Sequence, residues 1–386
     1  MCTHISEQWT NLRREILENT TNDTQVKYID FIPTKITTKK NKIIEIMKAT
    51  RVFATVKDIL IIINSFLISF VRHRNILKNY RTNIHKVLKS LNNFVRIDVD
   101  FSENLDIKLP KSPQFMHWSN QQVTVHSGIM SVGNSKSYHP YISDDILHDQ
   151  VFVGEVLDRM LSSVGDFESK KMHGAVILSD NCSSQYKSAL SFHILQNLAS
   201  KYNIKIIRVY GCAGHGKNEV DHVGGLSKVC IRTHVSQQNY ILNADDCVRF
   251  LKGKFESKAN PTYDIQEIPK DILQAERLNT KKYRYPTVVG SSQFHIMIFK
   301  PNSNILTVSN CVCACGNCLA MFGECSNFYQ VKLPPSRIKK EKPPLKPLKN
   351  GNKTQKRNKA GKKITKKKKA VKLPTVTTIS VSTAKN

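Results

Sequence analysis

Hydrophobic positions near the start of the chain recur at intervals of three and four. The pattern is clearest over residues 43–91, which contain no proline or glycine, and this spacing predicts amphipathic helices. The longest apolar run, residues 59–71, includes Asn64 and Ser65 and falls short of the roughly 20 residues that cross a bilayer. We therefore expect a helical lead-in over residues 1–90 and no membrane span.

The periodicity changes at residue 94, where short apolar runs begin to alternate with polar loops. Three strand-like runs come first, and helices and strands then alternate, over the segments FVRIDVDF, QQVTVHSGIMSVG, SYHPYIS, DDILHDQVFVGEVLDRMLSSV, AVILSD, SALSFHILQNLASKYN, IKIIRVYG and NEVDHVGGLSKVCIRTHV. The order β-β-β-α-β-α-β-α predicts an α/β domain over residues 91–240 with a mixed sheet. That order is RNase H-like.

Two further segments follow this domain. Residues 241–331 contain short apolar runs, including a hairpin with its turn at 301–304, and we expect an ordered accessory subdomain. Residues 332–386 are rich in lysine and proline, and they cannot bury enough apolar area to offset the entropy of ordering them. We therefore expect a disordered basic tail.

Charge narrows the choice of partner. The formal net charge is +29, and residues 332–386 hold nineteen Lys and Arg residues against one acid, Glu341. A basic surplus in the tail and in the rest of the chain predicts a polyanionic partner, most simply DNA. We also expect an intracellular protein without a signal peptide, directed to the nucleus by the cluster KKITKKKK at 362–369. The sequence does not determine the oligomeric state, and a homo-oligomer is one possibility.

Three aspartates occupy strand or helix ends in the predicted order. Asp100 ends the first strand, Asp180 follows the fourth, and Asp221 begins the helix after the fifth, so all three fall on one edge of the sheet. Clustered carboxylates are typical ligands of Mg²⁺ or Mn²⁺, and two such ions promote phosphodiester displacement. Asp98 is an alternative to Asp100 as the first acid of the group, and Glu219 is an alternative to Asp221 as the third. Each acid taken singly also fits a turn or a helix cap.

The blocks around these acids resemble a known family. VDFSENL (99–105), HWSNQQVTVHSG (117–128), ISDDILHD (142–149), LSDNCSSQYKS (178–188) and GHGKNEVDHVGGLSK (214–228) are similar to the RNase H-like DDE/D transposase domain of eukaryotic transposon-derived proteins. The resemblance spans roughly residues 70–300. It implies that Asp100, Asp180 and Asp221 are a metal-binding triad for DNA cleavage and strand transfer.

Polar neighbours of the three acids are candidates for supporting roles. Gln185 and Lys187 follow Asp180 and either contact a phosphate or simply begin a solvated helix. His215 and Lys217 lie in a glycine-flanked loop suited to a DNA-backbone contact. Two residues that follow Asp100 are candidates for orienting it: Glu103 and Asn104.

Two glycines interrupt the helix that should carry Asp221. Gly224 and Gly225 each cost a helix roughly 1 kcal/mol relative to alanine. That cost is understandable if the helix must approach the sheet closely. The pair therefore predicts tight packing beside the third acid.

Five of the ten cysteines are concentrated in the segment CVCACGNCLAMFGEC. A C-x-x-C pair with a glycine for its turn, together with nearby thiols, predicts Zn²⁺ coordination. Free thiols on a hairpin are the alternative. The candidate ligands are Cys311, Cys313, Cys315, Cys318 and Cys325.

The favoured function is that of a transposase-like enzyme of the Asp-Asp-Asp type, which uses two divalent ions on DNA. One alternative is a transposon-derived DNA-binding protein without catalysis. Another is a different RNase H-like nuclease that acts on RNA–DNA hybrids or branched DNA.

Overall fold

The computed structural model describes residues 3–21, 23–37, 43–107, 121–211, 219–255 and 262–339. The chain divides into two compact units, and the division falls between His73 and Arg74, inside a long helix.

The N-terminal unit contains a β-hairpin between two helices. Helix α1 spans Thr3–Asn19, strands β1 (Gln25–Thr37) and β2 (Ile43–Thr55) pair antiparallel, and helix α2 spans Val56–Ser90. Thr55 ends the hairpin and starts α2, because its hydroxyl accepts the backbone N–H of Asp58 at 3.2 Å. The expectation of a wholly helical lead-in is therefore wrong over the hairpin. That stretch is rich in isoleucine, valine and threonine, which favour strands once a pairing partner is present.

Beyond α2 the chain forms a mixed sheet, whose described part has eleven strands. The strands are β3 (Val95–Phe101), β4 (Leu105–Ile107), β5 (Gln121–Val132), β6 (Ser135–Ser143), β7 (Gly174–Ser179), β8 (Lys205–Tyr210), β9 (Thr262–Tyr263), β10 (Gln266–Glu267), β12 (Ile296–Phe299), β13 (Ile305–Ser309) and β14 (Tyr329–Lys332). Their order across the sheet is β10-β6-β5-β3-β7-β8-β12-β13-β14, with β4 paired to β5 and β9 paired to β6.

Strand direction changes at the centre of this sheet. Strand β5 pairs antiparallel with both β3 and β6, whereas β7 and β8 run parallel to β3. Strand β12 then pairs antiparallel to β8 and continues into β13 and β14. The mixed α/β class predicted from the hydrophobic pattern is confirmed.

Six further helices and one 3₁₀ turn connect these strands in the described residues. Helix α3 follows Asp149, whose carboxylate accepts the N–H of Phe152, and α4 follows Ser188, which forms a capping box with Ser191. The helices are α3 (Gln150–Val164), α4 (Ala189–Lys201), α5 (Glu219–Ser236), α6 (Ala244–Phe255), α7 (Lys270–Lys281) and α8 (Gly316–Ala320), with the 3₁₀ turn at Ser291–Gln293. None of the described helices has the length and hydropathy of a membrane span.

Both faces of the central strands are covered. On β7, Ala175 and Ile177 belong to the core beneath α3 and α4, whereas Val176 and Leu178 belong to a second core formed with the end of α2 and the cysteine-rich segment. A strand buried on two faces has no polar side to present. This two-sided burial explains why β7 is apolar at four consecutive positions.

The C-terminal segments extend the main sheet. The hairpin expected around residues 301–304 is present as β12 and β13, and it joins the edge of β8 instead of forming a separate sheet. Strand β15 (Arg337–Ile338) pairs with β11 (Tyr283–Arg284), so residues 332–339 are ordered and the predicted tail begins too early. The remainder of the predicted tail, residues 340–386, lies outside the described residues.

Helix α5 approaches the sheet at one of its two glycines. A Cβ atom on Gly224 would lie 2.1 Å from Oγ of Ser102 and 2.7 Å from Oγ of Ser127, beside the end of β3 and on β5. A Cβ atom on Gly225 would meet nothing within 4 Å. The close approach expected for the pair is therefore a property of Gly224 alone.

This difference predicts opposite tolerance at adjacent positions. Gly224→Val should lower the melting temperature well below that of Gly225→Val, because both variants change helix propensity equally but only the first inserts a side chain against Ser102. Thermal unfolding followed by circular dichroism would measure both. Equal melting temperatures would show that α5 does not need this approach.

Candidate functional site

The three predicted acids meet at one edge of the central sheet. Asp100 lies near the C-terminal end of β3, Asp180 comes directly after β7, and Asp221 lies in the first turn of α5. Because β3 and β7 are parallel neighbours, with Asp98 opposite Leu178, their C-terminal ends reach the same edge. Helix α5 packs against the sheet at Gly224, and this contact brings Asp221 to the same edge.

Asp100 and Asp221 share a hydrogen bond between their carboxyl groups, and the negative charge of Asp180 also acts on Asp100. Burial, the Asp221 hydrogen bond and the two neighbouring charges raise the pKa of Asp100 to about 8. A carboxyl–carboxyl hydrogen bond requires a proton on one partner. The raised pKa of Asp100 therefore favours a shared proton, or a bound cation, over two adjacent negative charges at this edge.

The two competing acids are engaged elsewhere. Asp98 is buried and accepts two hydrogen bonds from the guanidinium of Arg96, at 2.7 and 3.1 Å. Glu219 accepts hydrogen bonds from Lys136 at 2.9 Å and from the Tyr138 hydroxyl at 2.6 Å. Asp98 and Glu219 therefore each have a basic partner of their own, whereas Asp100 interacts with Asp221.

Asp180 also has a local role in the turn that follows β7. Its Oδ1 accepts the backbone N–H of Cys182 at 3.0 Å, which is the hydrogen bond of an Asx turn. The turn explains the local preference for aspartate, and the parallel pairing brings the same carboxylate beside Asp100. The two interpretations of this residue are thus compatible.

A buried polar layer lies beneath the acids, and sequence reasoning missed it. Arg208 of β8 is 1% exposed, donates to the hydroxyl of Ser179, and stacks over Tyr186 and Tyr210 with its guanidinium carbon 5.3 and 5.2 Å from the two ring centroids. Burial lowers the pKa of Arg208, and the charge of Asp180 opposes that change. A lone arginine inside the apolar run IKIIRVYG was the available signal.

Two other buried groups adjoin this layer. His126 is fully buried, packs edge-on against Phe101 at 4.5 Å, and has no hydrogen-bond partner among the described residues. Burial lowers its pKa to about 3, so the imidazole is neutral at physiological pH. Burial and the charges of the two neighbouring aspartates raise the pKa of Tyr186 well above its usual value.

Lys187 does not lie where a phosphate could reach it. The side chain is buried, its Nζ donates to the carbonyl of Ser292 at 3.1 Å, and it lies 5.1 Å from the ring centroid of Tyr210. Burial lowers the pKa of Lys187 to about 8. The phosphate-contact prediction for Lys187 is wrong, because the turn before α4 directs this side chain inward. Gln185 is half-buried in the same turn.

The other residues predicted to support the three acids differ in where the structure places them. Asn104 accepts hydrogen bonds from Thr124 at 3.0 Å and His148 at 2.7 Å, so its side chain ties β5 to the loop before α3. Glu103 is exposed, and its carbonyl accepts a hydrogen bond from Lys228. Two predicted DNA-contacting residues lie outside the described residues: His215 and Lys217.

The cysteine-rich segment brings four of its five thiols together. The Sγ atoms of Cys313, Cys315, Cys318 and Cys325, hereafter the four-thiol cluster, all lie within 4.8 Å of one another, so the cluster could hold a metal ion such as zinc. Cys311 is not a member, and the predicted ligand set narrows to four. In the described part of the chain, the aspartate triad does not reach this spacing.

A family model described as "Domain of unknown function (DUF8701)" matches residues 74–310, which is more than half of the chain. The chain belongs to this family. The DUF8701 segment runs from within α2 to just beyond β13, so it contains the three aspartates and stops before the four-thiol cluster. No curated protein and no solved structure matches the chain.

The raised pKa of Asp100 predicts a specific dependence of stability on pH. An acid whose pKa is about 8 when folded and 3.8 when unfolded leaves the folded state holding more protons between those values, so stability falls as pH rises through this interval. Asp100→Asn cannot ionise, and its amide can still donate to Asp221. In EDTA, its melting temperature relative to wild type should therefore rise between pH 5 and pH 8.

Thermal unfolding across that pH range checks the expectation. Asp106→Asn removes an exposed carboxylate from the neighbouring strand β4 and controls for a general change in net charge. If both variants follow the wild-type pH profile, the interaction between Asp100 and Asp221 has no energetic effect.

Proposed function

We propose that this protein is an RNase H-like, transposase-related enzyme that cleaves and joins DNA phosphodiesters at the edge formed by Asp100, Asp180 and Asp221. The observation that carries the proposal is the convergence of three acids, far apart in sequence, on the ends of adjacent elements. A cluster of like charges is costly unless a cation or a shared proton offsets it. Acids with strongly shifted pKa values are concentrated at functional sites, including sites of metal-dependent chemistry.

The sheet topology supports this assignment. Strands β6, β5, β3, β7 and β8 are adjacent in that order, and the last two run parallel to β3. This arrangement agrees with the RNase H-like order that the sequence blocks resemble. Fold resemblance alone does not specify function, so the proposal depends on the acids themselves.

The donor set suits a hard divalent cation. Carboxylate oxygens are the preferred ligands of Mg²⁺ and Mn²⁺, and a cation can replace the proton that Asp100 and Asp221 share. Held by the three aspartates, such an ion would activate a water or a 3′-hydroxyl and stabilise the leaving oxygen.

The chain's own residues prepare this edge. The Asx turn fixes the direction of Asp180, and the positive charge of buried Arg208 offsets part of the negative charge above it. Gly224 lets α5 bring Asp221 against the end of β3. Glu219, bound to Lys136, leaves the third position to Asp221.

The charge of the chain supports DNA as the substrate. The net charge of +29 favours a polyanion, and the lysine-rich residues after 339 add a sequence-independent affinity for phosphate. The same basic cluster favours a nuclear location.

Removing a carboxylate should abolish cleavage. Asp180→Asn and Asp221→Asn in the full chain should reduce Mn²⁺-dependent nicking of supercoiled plasmid by at least about 100-fold, since loss of even a residue behind a metal ligand costs about 10–100-fold. Glu219→Gln is the matched control, because it removes a carboxylate from the same helix turn but not from the acid cluster. It should keep most of the activity.

Mn²⁺ binding measured by calorimetry separates the possible outcomes. We expect both aspartate variants to lose affinity and Glu219→Gln to retain it. Wild-type cleavage by Asp180→Asn would refute the triad. DNA binding without cleavage by the wild-type protein, tested with Mg²⁺ and Mn²⁺, would instead support the non-catalytic alternative.

The basic tail should dominate the salt dependence of DNA binding. Truncation after Lys339 keeps β15 and removes the lysine-rich residues that follow, so the plot of log K against log salt should become shallower by about 0.9 for each phosphate that the tail neutralises. Fluorescence anisotropy with duplex DNA at several salt concentrations measures the slope. Replacing only the lysines of 362–369 with alanine should give an intermediate slope. An unchanged slope after truncation would exclude the tail as the main DNA-binding segment.

A further inference from the structure

The four-thiol cluster has the dimensions of a tetrathiolate metal centre. Sγ of Cys325 lies 3.1 Å from Sγ of Cys318 and 3.8 Å from Sγ of Cys313, and all four sulfurs lie within 4.8 Å. A tetrahedral zinc with Zn–S bonds of about 2.3 Å holds its sulfurs roughly 3.8 Å apart. Small side-chain adjustments would therefore bring the four thiols to that geometry.

One polar side chain donates a hydrogen bond directly to the cluster. The side-chain amide of Asn327 donates to Sγ of Cys313 at 3.2 Å. Donors of this kind orient metal-bound ligands and disperse their charge. The cluster therefore combines four sulfurs at metal-ligand spacing with a hydrogen-bond donor to one of them.

Four protein ligands leave no open position for a substrate. Closed tetrathiolate sites are structural, because catalytic zinc retains a water or substrate ligand. The role of this cluster must therefore be sought in what its segment holds in place.

The cysteine-rich segment packs on the C-terminal part of α2. Val312, Cys318 and Phe322 share one hydrophobic core with Ile84 and Val87 of α2 and with the outer faces of β7, β8 and β12. A hydrogen bond from the side chain of Asn83 to the carbonyl of Val312, 2.8 Å long, joins the helix to the segment directly. Only the short helix α8 gives this cover regular secondary structure between β13 and β14.

The geometry points to a structural zinc ion that is bound by Cys313, Cys315, Cys318 and Cys325 and fastens the end of α2 to the sheet. Without it, the segment between β13 and β14 is held against α2 by the apolar contacts of their shared core and by the Asn83 hydrogen bond. With it, four points of the chain are joined at one centre. This site is separate from the sheet edge that carries Asp100, Asp180 and Asp221, hereafter the acid edge. It does not depend on the proposed function.

Cys315→Ser is the informative variant. Cys315 is exposed, so the substitution removes a ligand with little loss of core packing. Cys311→Ser is the matched control, since Cys311 lies in the same segment but outside the cluster. The full chain, purified under reducing conditions, should contain one zinc ion by elemental analysis. Cys315→Ser should lose most of it and Cys311→Ser should keep it.

Cobalt substitution tests the ligand set without relying on activity. The Co²⁺-loaded protein should show the thiolate-to-metal charge-transfer absorption of a tetrahedral tetrathiolate, and Cys315→Ser should reduce that absorption. An absence of zinc and of this absorption in the wild-type protein, or equal losses in both variants, would overturn the site. If Cys315→Ser does not fold, metal titration of the metal-depleted wild-type protein decides the same point.

Hydrogen exchange tests the fastening role. Removing zinc from the wild-type protein with a chelator should lower its melting temperature and increase amide exchange over residues 80–91 and 311–328, while β3 and α3 remain protected. Zinc that binds without changing exchange in α2 would refute the fastening role. The chelator should have no such effect on Cys315→Ser.

Discussion

The parallel pairing of β3 with β7 is the constraint on which the acid edge depends. Its register sets Asp98 opposite Leu178, so Asp100 and Asp180 emerge at adjoining strand ends although 80 residues separate them. A slip of one residue would turn the side chain of Asp100 to the opposite face and disperse the cluster. Apolar packing on both faces of β7 opposes such a slip.

That pairing forces like charges together, and the surrounding residues reduce the cost. Burial and the neighbouring acids raise the pKa of Asp100, which favours its neutral, protonated form. Arg208 supplies a positive charge from below, held by Ser179 and two tyrosine rings. A charged guanidinium is rarely buried without a reason of this kind. The acid edge and the buried layer therefore interact electrostatically through Asp180 and Tyr186.

The two faces of the sheet are covered by different kinds of segment. One face is covered by α3 and α4, whose apolar positions form a continuous core with the strands. The other is shared between α5, which needs Gly224 to come close, and the end of α2, which is covered by the cysteine-rich segment. Short irregular segments provide little hydrophobic area of their own. A metal centre in that segment would compensate for this shortage.

Local sequence patterns were sufficient to predict much of the fold and of the candidate site. Apolar periodicity and strand-end polarity depend on neighbouring residues, so the alternation of strand and helix, the hairpin around 301–304 and the positions of the three acids could be predicted directly. The N-terminal hairpin could not, because its pairing partner decides between strand and helix. The inward direction of Lys187, the burial of Arg208 and the exclusion of Cys311 were also decided by tertiary structure. Each depends on which distant surfaces meet, and spacing along the chain carries no such information.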